Sequence, residues 1–226
     1  MKKFILLLPI LGLLLTACVV QTPVPIETAG RTPITITDAL GRQVNLPAIP
    51  QRIVITGKAL VMIADTVYTF PEAPDRIVGI GNAGQGSSNF ISLIDPNYTQ
   101  KAVLENNAGV EQIAALQPDL VLLKSYLAES VGNPIEAIGI PVVYVDFETP
   151  EQYSRDLAIL GQIFQDQTRA AQVSAYDQER VEQIQQAVDK AAARPRVLML
   201  YYSDKDGSVA FNVPPLGWMQ TQIVQL

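Results

Sequence analysis

The chain contains no histidine and only one cysteine, Cys18. Without imidazole it lacks the commonest general base and the commonest metal ligand. Without a second thiol it has no intramolecular disulfide, so its core alone must hold it together. Lys and Arg total 16 against 22 Asp and Glu, a formal charge of −6. That balance offers no basic face to neutralise phosphates, and nucleic acid is not an expected partner. Long apolar runs are scarce too. Phe4–Leu15 is interrupted by Pro9 and Gly12, and it falls short of the ~20 residues a spanning helix needs. Catalytic sets are equally absent: no Ser/His/Asp combination, no G-x-S-x-G, no cysteine nucleophile, and acids scattered at ordinary surface spacing. An enzyme is not expected.

What the N-terminus does contain is Lys2-Lys3, the apolar stretch, and then the small residues Thr16 and Ala17, the three parts of a secretory signal peptide over residues 1–17. Leu15-Thr16-Ala17-Cys18 resembles a bacterial lipobox, which implies a diacylglyceryl group on the Cys18 thiol and a firm tether to a membrane on its extracytoplasmic side. Residues 18–33, rich in Pro, Thr and Val and without periodicity, read as a spacer.

The pattern then changes. "ITITDALGRQVNLP" predicts a β-hairpin, Ile34–Thr37 pairing with Gln43–Leu46. Short Val/Ile/Leu runs follow ("RIVIT", "RIVGI", "DLVLL", "PVVYV"), alternating with amphipathic stretches such as "GVEQIAAL" and "TPEQYSRDLAILGQIF". That alternation predicts an α/β, Rossmann-like lobe over residues 34–165, its parallel sheet covered on both faces. Residues 166–193 predict one long helix, and residues 194–226 a further strand, "RVLMLYY", and a final helix, the incomplete start of a second α/β lobe. The alternative is that this last strand joins the first sheet.

Gly79-Ile80-Gly81-Asn82-Ala83-Gly84 is a literal G-x-G-x-x-G, but no capped amphipathic helix follows it. A glycine loop at a sheet edge is the preferred reading over a dinucleotide site. More informative are the polar and aromatic residues that follow the strands: Lys58; Asn82, Ser87 and Ser88; Lys124, Ser125 and Tyr126; Asp146 and Phe147; Tyr202 and Ser203. Ligands of open α/β sheets sit outside the carboxyl ends of the strands, so this set is the expected binding site, although each residue taken singly reads equally well as a solvated loop position.

The lipobox, the hairpin with Asp38-x-x-Gly41-Arg42-x-Val44, the segment Glu111-Gln112-Ile113 to Pro118-Asp119-Leu120-Val121 and the long helix together resemble the ABC-transporter substrate-binding lipoproteins for iron(III)-siderophores, haem and cobalamin. The resemblance implies two Rossmann-like lobes joined by the long helix, with ligand in the cleft between them and a monomer in solution. It places Trp218 in the second lobe and in the ligand-binding set, and it implies that Glu111 docks a basic residue of the permease, whose ATPase completes the importer. Glu111 also suits the first turn of a helix for purely local reasons. No resident cofactor or protein-held metal is implied. Lacking histidine, the chain is expected to take a pre-formed chelate, a ferric siderophore, corrinoid or haem, with tyrosinate ligation by Tyr126, Tyr201 or Tyr202 left open. Family members continue well beyond residue 226, and exposed apolar surface on the long helix and last strand is therefore expected. The competing reading is an extracytoplasmic sensor or scaffold lipoprotein that binds a protein partner.

Overall fold

The computed structural model describes residues 32–83, 89–105, 108–193, 195–205 and 207–225. Cys18, the signal-peptide and spacer residues up to 31, Gly84, Ser87 and Ser88 lie outside the described residues.

The chain opens with the expected hairpin, β1 (Ile34–Thr37) and β2 (Gln43–Leu46), paired antiparallel with Ile34 opposite Leu46 and Thr37 opposite Gln43. Its turn explains the D-x-x-G-R pattern. Asp38 accepts from the Leu40 and Arg42 amides, each at 3.0 Å, and from the Arg42 guanidinium at 2.8 and 2.9 Å, while Gly41 takes a left-handed φ of 76°.

Strand β3 (Ile53–Ile55) leads through α1 (Val61–Val67) and α2 (Ala73–Arg76) to β4 (Ile77–Gly81). After α3 (Ile91–Ile94) come β5 (Ala102–Leu104), α4 (Val110–Ala114) and β6 (Leu120–Lys124). A 3₁₀ turn (Ser125–Leu127) and a π-helical turn (Ala128–Gly132) lead into α5 (Asn133–Ala137), then β7 (Val142–Val145). Two longer helices follow, α6 (Pro150–Phe164) and α7 (Gln167–Asp189).

β3 to β7 form one five-stranded parallel sheet in the order β5-β4-β3-β6-β7. The α/β class with a Rossmann-like parallel sheet, expected from the pattern, is what is seen. β3, β6 and β7 are buried on both faces, so their residues divide by parity. Ile53, Ile55, Leu120, Leu122, Val143 and Val145 pack with residues of α1 and α6 such as Ile63, Val67, Leu160 and Phe164. Val54, Val121, Leu123, Val142 and Tyr144 pack with Ile113 of α4 and Ile135 of α5.

Gly79 and Gly81 of the G-x-G-x-x-G sequence lie in β4 itself. A Cβ on Gly79 would stand 2.5 Å from Leu116, and one on Gly81 2.4 Å from Leu60. These glycines let side chains of neighbouring elements lie against the strand, and the four-residue α3, which has no side-chain cap, is no phosphate-binding helix.

The α6 start is as read: Thr149 caps by accepting from the Gln152 amide, and Pro150 takes the first helical position. Gln165, left-handed at φ 59°, ends α6, and Asp166 caps α7 through the Arg169 amide. α7 has 23 residues, or about 35 Å at 1.5 Å per residue.

Beyond it the expectation of a strand over Arg196–Tyr202 is corrected. The strand is β8 (Tyr201–Lys205), and among the described residues it pairs only with β9 (Ser208–Asn212), in a separate antiparallel ladder. It does not join the first sheet, whose β7 flank is already taken. There Ala39 N–H donates to the Tyr144 carbonyl at 2.9 Å and Arg42 donates to the Val142 carbonyl at 3.0 Å, laying the β1–β2 hairpin along that edge. A short helix, α8 (Met219–Gln225), ends the described chain. No helix among the described residues is long and apolar enough to cross a membrane.

Candidate functional site

The strand order runs outward from β3 in both directions, through β4 to β5 and through β6 to β7. Connections leaving β3 and β6 therefore diverge, and the crevice beyond their carboxyl ends is the topological switch point where such sheets bind ligands. Two of the expected positions meet there. Lys58 follows β3 and Tyr126 follows β6, and the Tyr126 hydroxyl donates to the Lys58 carbonyl at 3.2 Å. Both side chains are exposed, Tyr126 at 61%. Burial, then the charge of Glu148, pushes the Tyr126 phenol above its ordinary value, so it stands at neutral pH as a protonated donor.

Gly57 makes this approach possible. It adopts φ 94°, and a Cβ there would lie 2.5 Å from Leu127 Cδ1. Beside it opens a cavity of about 380 Å³ on the α4–α5 face of the sheet, walled by Val110, Ile113, Leu127, Val131 and Pro134, with Thr56, Lys58 and Ser130 as its polar side chains.

Lys124, Ser125 and Asp146 are drawn together for a different purpose. Lys124 is 1% exposed, and its ammonium donates to the Asp146 carbonyl and, at 2.7 Å, to Glu148 Oε1. Ser125 donates through its hydroxyl to Asp146 Oδ1 at 2.5 Å. The other Asp146 oxygen accepts from Arg155 at 2.8 Å, and Arg155 also binds Asp156 at 2.7 Å. The Arg155 guanidinium is held firmly cationic by its hydrogen bond to Asp156, with Asp146 adding to the effect.

Asp156 itself is fully buried and accepts from the Asp146 and Phe147 amides at 2.6 and 2.9 Å. Those bonds hold Phe147 at φ 57° and turn its ring inward, where it is 1% exposed and meets Tyr153 edge-on at 5.7 Å. The charges of Lys124 and Asp146 are thus neutralised inside the lobe, and the free cation of this edge is Lys58, which has no side-chain partner among the described residues.

The remaining expected residues are dispersed. Asn82 is exposed just after β4. Tyr202 and Ser203 lie on the separate β8–β9 ladder, where Tyr202 meets Phe211 at 5.3 Å, and Trp218, 45% exposed, immediately precedes α8. Glu111 is exposed in the first turn of α4 and makes no ion pair among the described residues, while Gln112 accepts from the Gly109 amide at 3.1 Å to close that helix start. Sequence reasoning missed Glu148, Arg155 and Asp156, the partners that consume Lys124 and Asp146. Only the spacing of Asp156 within an otherwise apolar face of α6 signals its burial. No group of three or more Cys, Asp or Glu residues is placed to hold a metal ion among the described residues.

Comparison with known proteins agrees with the fold. Residues 63–215 match the family model described as periplasmic binding protein. The chain is 30% identical over 125 residues to the molybdate-binding protein MolA of Haemophilus influenzae, covering 51% of this chain and 33% of that protein. It is 28% identical over 184 residues to a cobalamin-binding protein of Halobacterium salinarum, covering 79% of this chain and 46% of that one. The chain thus spans less than half the length of these two curated relatives. Among solved structures, the siderophore-binding protein BauB, bound to a complex of two acinetobactin molecules with ferric iron, superposes with a TM-score of 0.61 at 22% identity. That likeness covers 85% of this chain and 65% of BauB, and it concerns the fold.

Proposed function

We propose that this chain, which belongs to the periplasmic binding protein family, captures a small metal chelate at the carboxyl edge of its five-stranded sheet and delivers it to an ABC importer. The family is one of extracytoplasmic binding proteins rather than enzymes. The observation that carries the proposal is the meeting of Lys58 and Tyr126 at the switch point between β3 and β6, where the cation and the aromatic side chain are both exposed. A chelate brings its metal already coordinated and asks of the protein only peripheral hydrogen bonds, charge and apolar contact. That matches a chain without histidine. Ferric siderophores and corrinoids suit this chemistry better than haem seeking an axial tyrosinate.

In this reading Glu111, exposed on α4 and unpaired among the described residues, docks a basic permease residue, and lipidated Cys18 keeps the lobe beside the membrane. The test is a titration of the full-length protein with cyanocobalamin, haemin, a ferric hydroxamate and a ferric catecholate, followed by calorimetry. Saturable binding of one of them, weakened about tenfold or more by Lys58→Glu, is the expected result; no binding of any would overturn the proposal. For docking, Glu111→Lys is expected to abolish uptake while leaving binding intact, and full uptake by that variant would end the docking assignment.

A further inference from the structure

The cavity beside Lys58 has a chemistry of its own. Its walls, Val110, Ile113, Leu127, Val131 and Pro134, are apolar, and Ile113 and Leu127 belong to the core cluster on that face of the sheet. Its volume, about 380 Å³, lies within the range of small-molecule sites. Against those walls stand a few polar groups. The Lys58 ammonium is exposed and without a partner among the described residues, and Ser130 is exposed at the rim.

Thr56 is the more telling residue. It is only 2% exposed and lines the cavity, yet its hydroxyl takes no hydrogen-bond partner among the described residues and is not sealed away from the cavity either. A buried hydroxyl is ordinarily satisfied within the protein. One left open beside a cavity and a free cation is arranged for something that enters. The cavity is held in shape by the fold: Gly57 lies against Leu127, where a Cβ would stand 2.5 Å from Cδ1, and the π-helical turn Ala128–Gly132 carries Ser130 and Val131 into its wall.

From these observations we propose that the cavity binds an apolar group bearing a single carboxylate, a small amphiphilic acid or the acid-tipped arm of a larger ligand, with the carboxylate on Lys58 and Thr56 and the apolar part between α4 and the π-turn. A multiply charged head does not fit, because one cation and two hydroxyls cannot neutralise it in an otherwise apolar chamber. A neutral group of the same shape forfeits the charge-assisted bond to Lys58. The site needs no metal, so the inference stands whether or not the protein carries chelates.

The test uses the full-length protein with 3-phenylpropionate as probe and 3-phenylpropanamide as its neutral counterpart, both titrated by calorimetry at low salt. The acid is expected to bind saturably and the amide about tenfold more weakly. Lys58→Gln is expected to erase that preference by weakening the acid alone. Ser130→Trp, at an exposed rim position where folding is not at stake, is expected to block both probes. Equal affinity for acid and amide, a preference that survives Lys58→Gln, unaltered binding in Ser130→Trp, or no binding of the acid at all each overturns the proposal. Binding of the acid alongside failure of every metal chelate keeps this inference and removes the chelate reading.

Discussion

Residues 53–145 and residues 195–225 are built from the same kinds of side chain and end in opposite states. In the first region Ile53, Val54, Ile55, Leu120 to Leu123 and Val142 to Val145 are all inaccessible to solvent. In the second, Leu198 is 75% exposed, Phe211 63%, Val209 57% and Ile223 63%. The apolar run is not what differs. Strands β3, β6 and β7 each have a parallel neighbour and a helical layer on both faces, whereas β8 has only β9, and an isolated two-stranded ladder is marginal in water. Burial here is conferred by the layers around a strand, not by its composition.

Hydrogen exchange gives that comparison its largest expected contrast. The amides of β6 should exchange through global opening and those of β8 and β9 through local opening, at rates at least about a thousandfold faster; comparable protection of the two would break the distinction. Truncation mutants should follow suit. Leu122→Ala, in the sheet centre, is expected to cost about 3 kcal/mol in urea unfolding, and Phe211→Ala less than about 0.5 kcal/mol. Acids divide in the same way. Asp156→Ala strips two backbone amides of their acceptor and Arg155 of one of its two carboxylates, a loss of about 2 kcal/mol, while Asp204→Ala on exposed β8 should leave the unfolding midpoint unmoved.

These two regions also explain which elements are legible in the sequence. The hairpin Ile34–Leu46 and the strand at Leu120 were legible because each carries its own punctuation. Asp38, Gly41 and Arg42 close the hairpin turn locally, and Asp119 marks the β6 entry by accepting from the Gln51 and Arg52 amides at 2.8 and 2.9 Å. β5 was missed, since three residues beside the 3₁₀ turn Tyr98–Gln100 show no period. The last strand is displaced: "RVLML" resembles a buried parallel strand, but the ladder forms at Tyr201–Lys205, paired with β9.

The candidate site was legible at Lys58 and Tyr126, where strand ends alone locate the residues. It was illegible at Lys124 and Asp146, whose availability depends on Glu148, Arg155 and Asp156 arriving from the next helix. Position after a strand tells where a side chain is, while its long-range partners decide whether its charge is free.

α7 crosses from one regime to the other. Ala170 in its first turn is buried, and Ile184 near its far end is 51% exposed. Asp177 sits at the changeover, half-buried and close enough to Tyr153 of α6 for its charge to reach that phenol. Burial raises the Asp177 carboxyl above its ordinary value. The fold therefore favours the protonated acid, and the native state binds the proton more tightly than the unfolded chain. Stability from this group is fully present below the unfolded pKa and is lost as pH rises through the folded one. Asp177→Asn should accordingly raise the thermal midpoint slightly at pH 7 and leave it unchanged near pH 3, the smallest effect of the series because solvent screens a half-exposed group. An equal gain at both pH values would locate the benefit in the asparagine itself. A gain confined to neutral pH places Asp177 on the packed side of the boundary along α7.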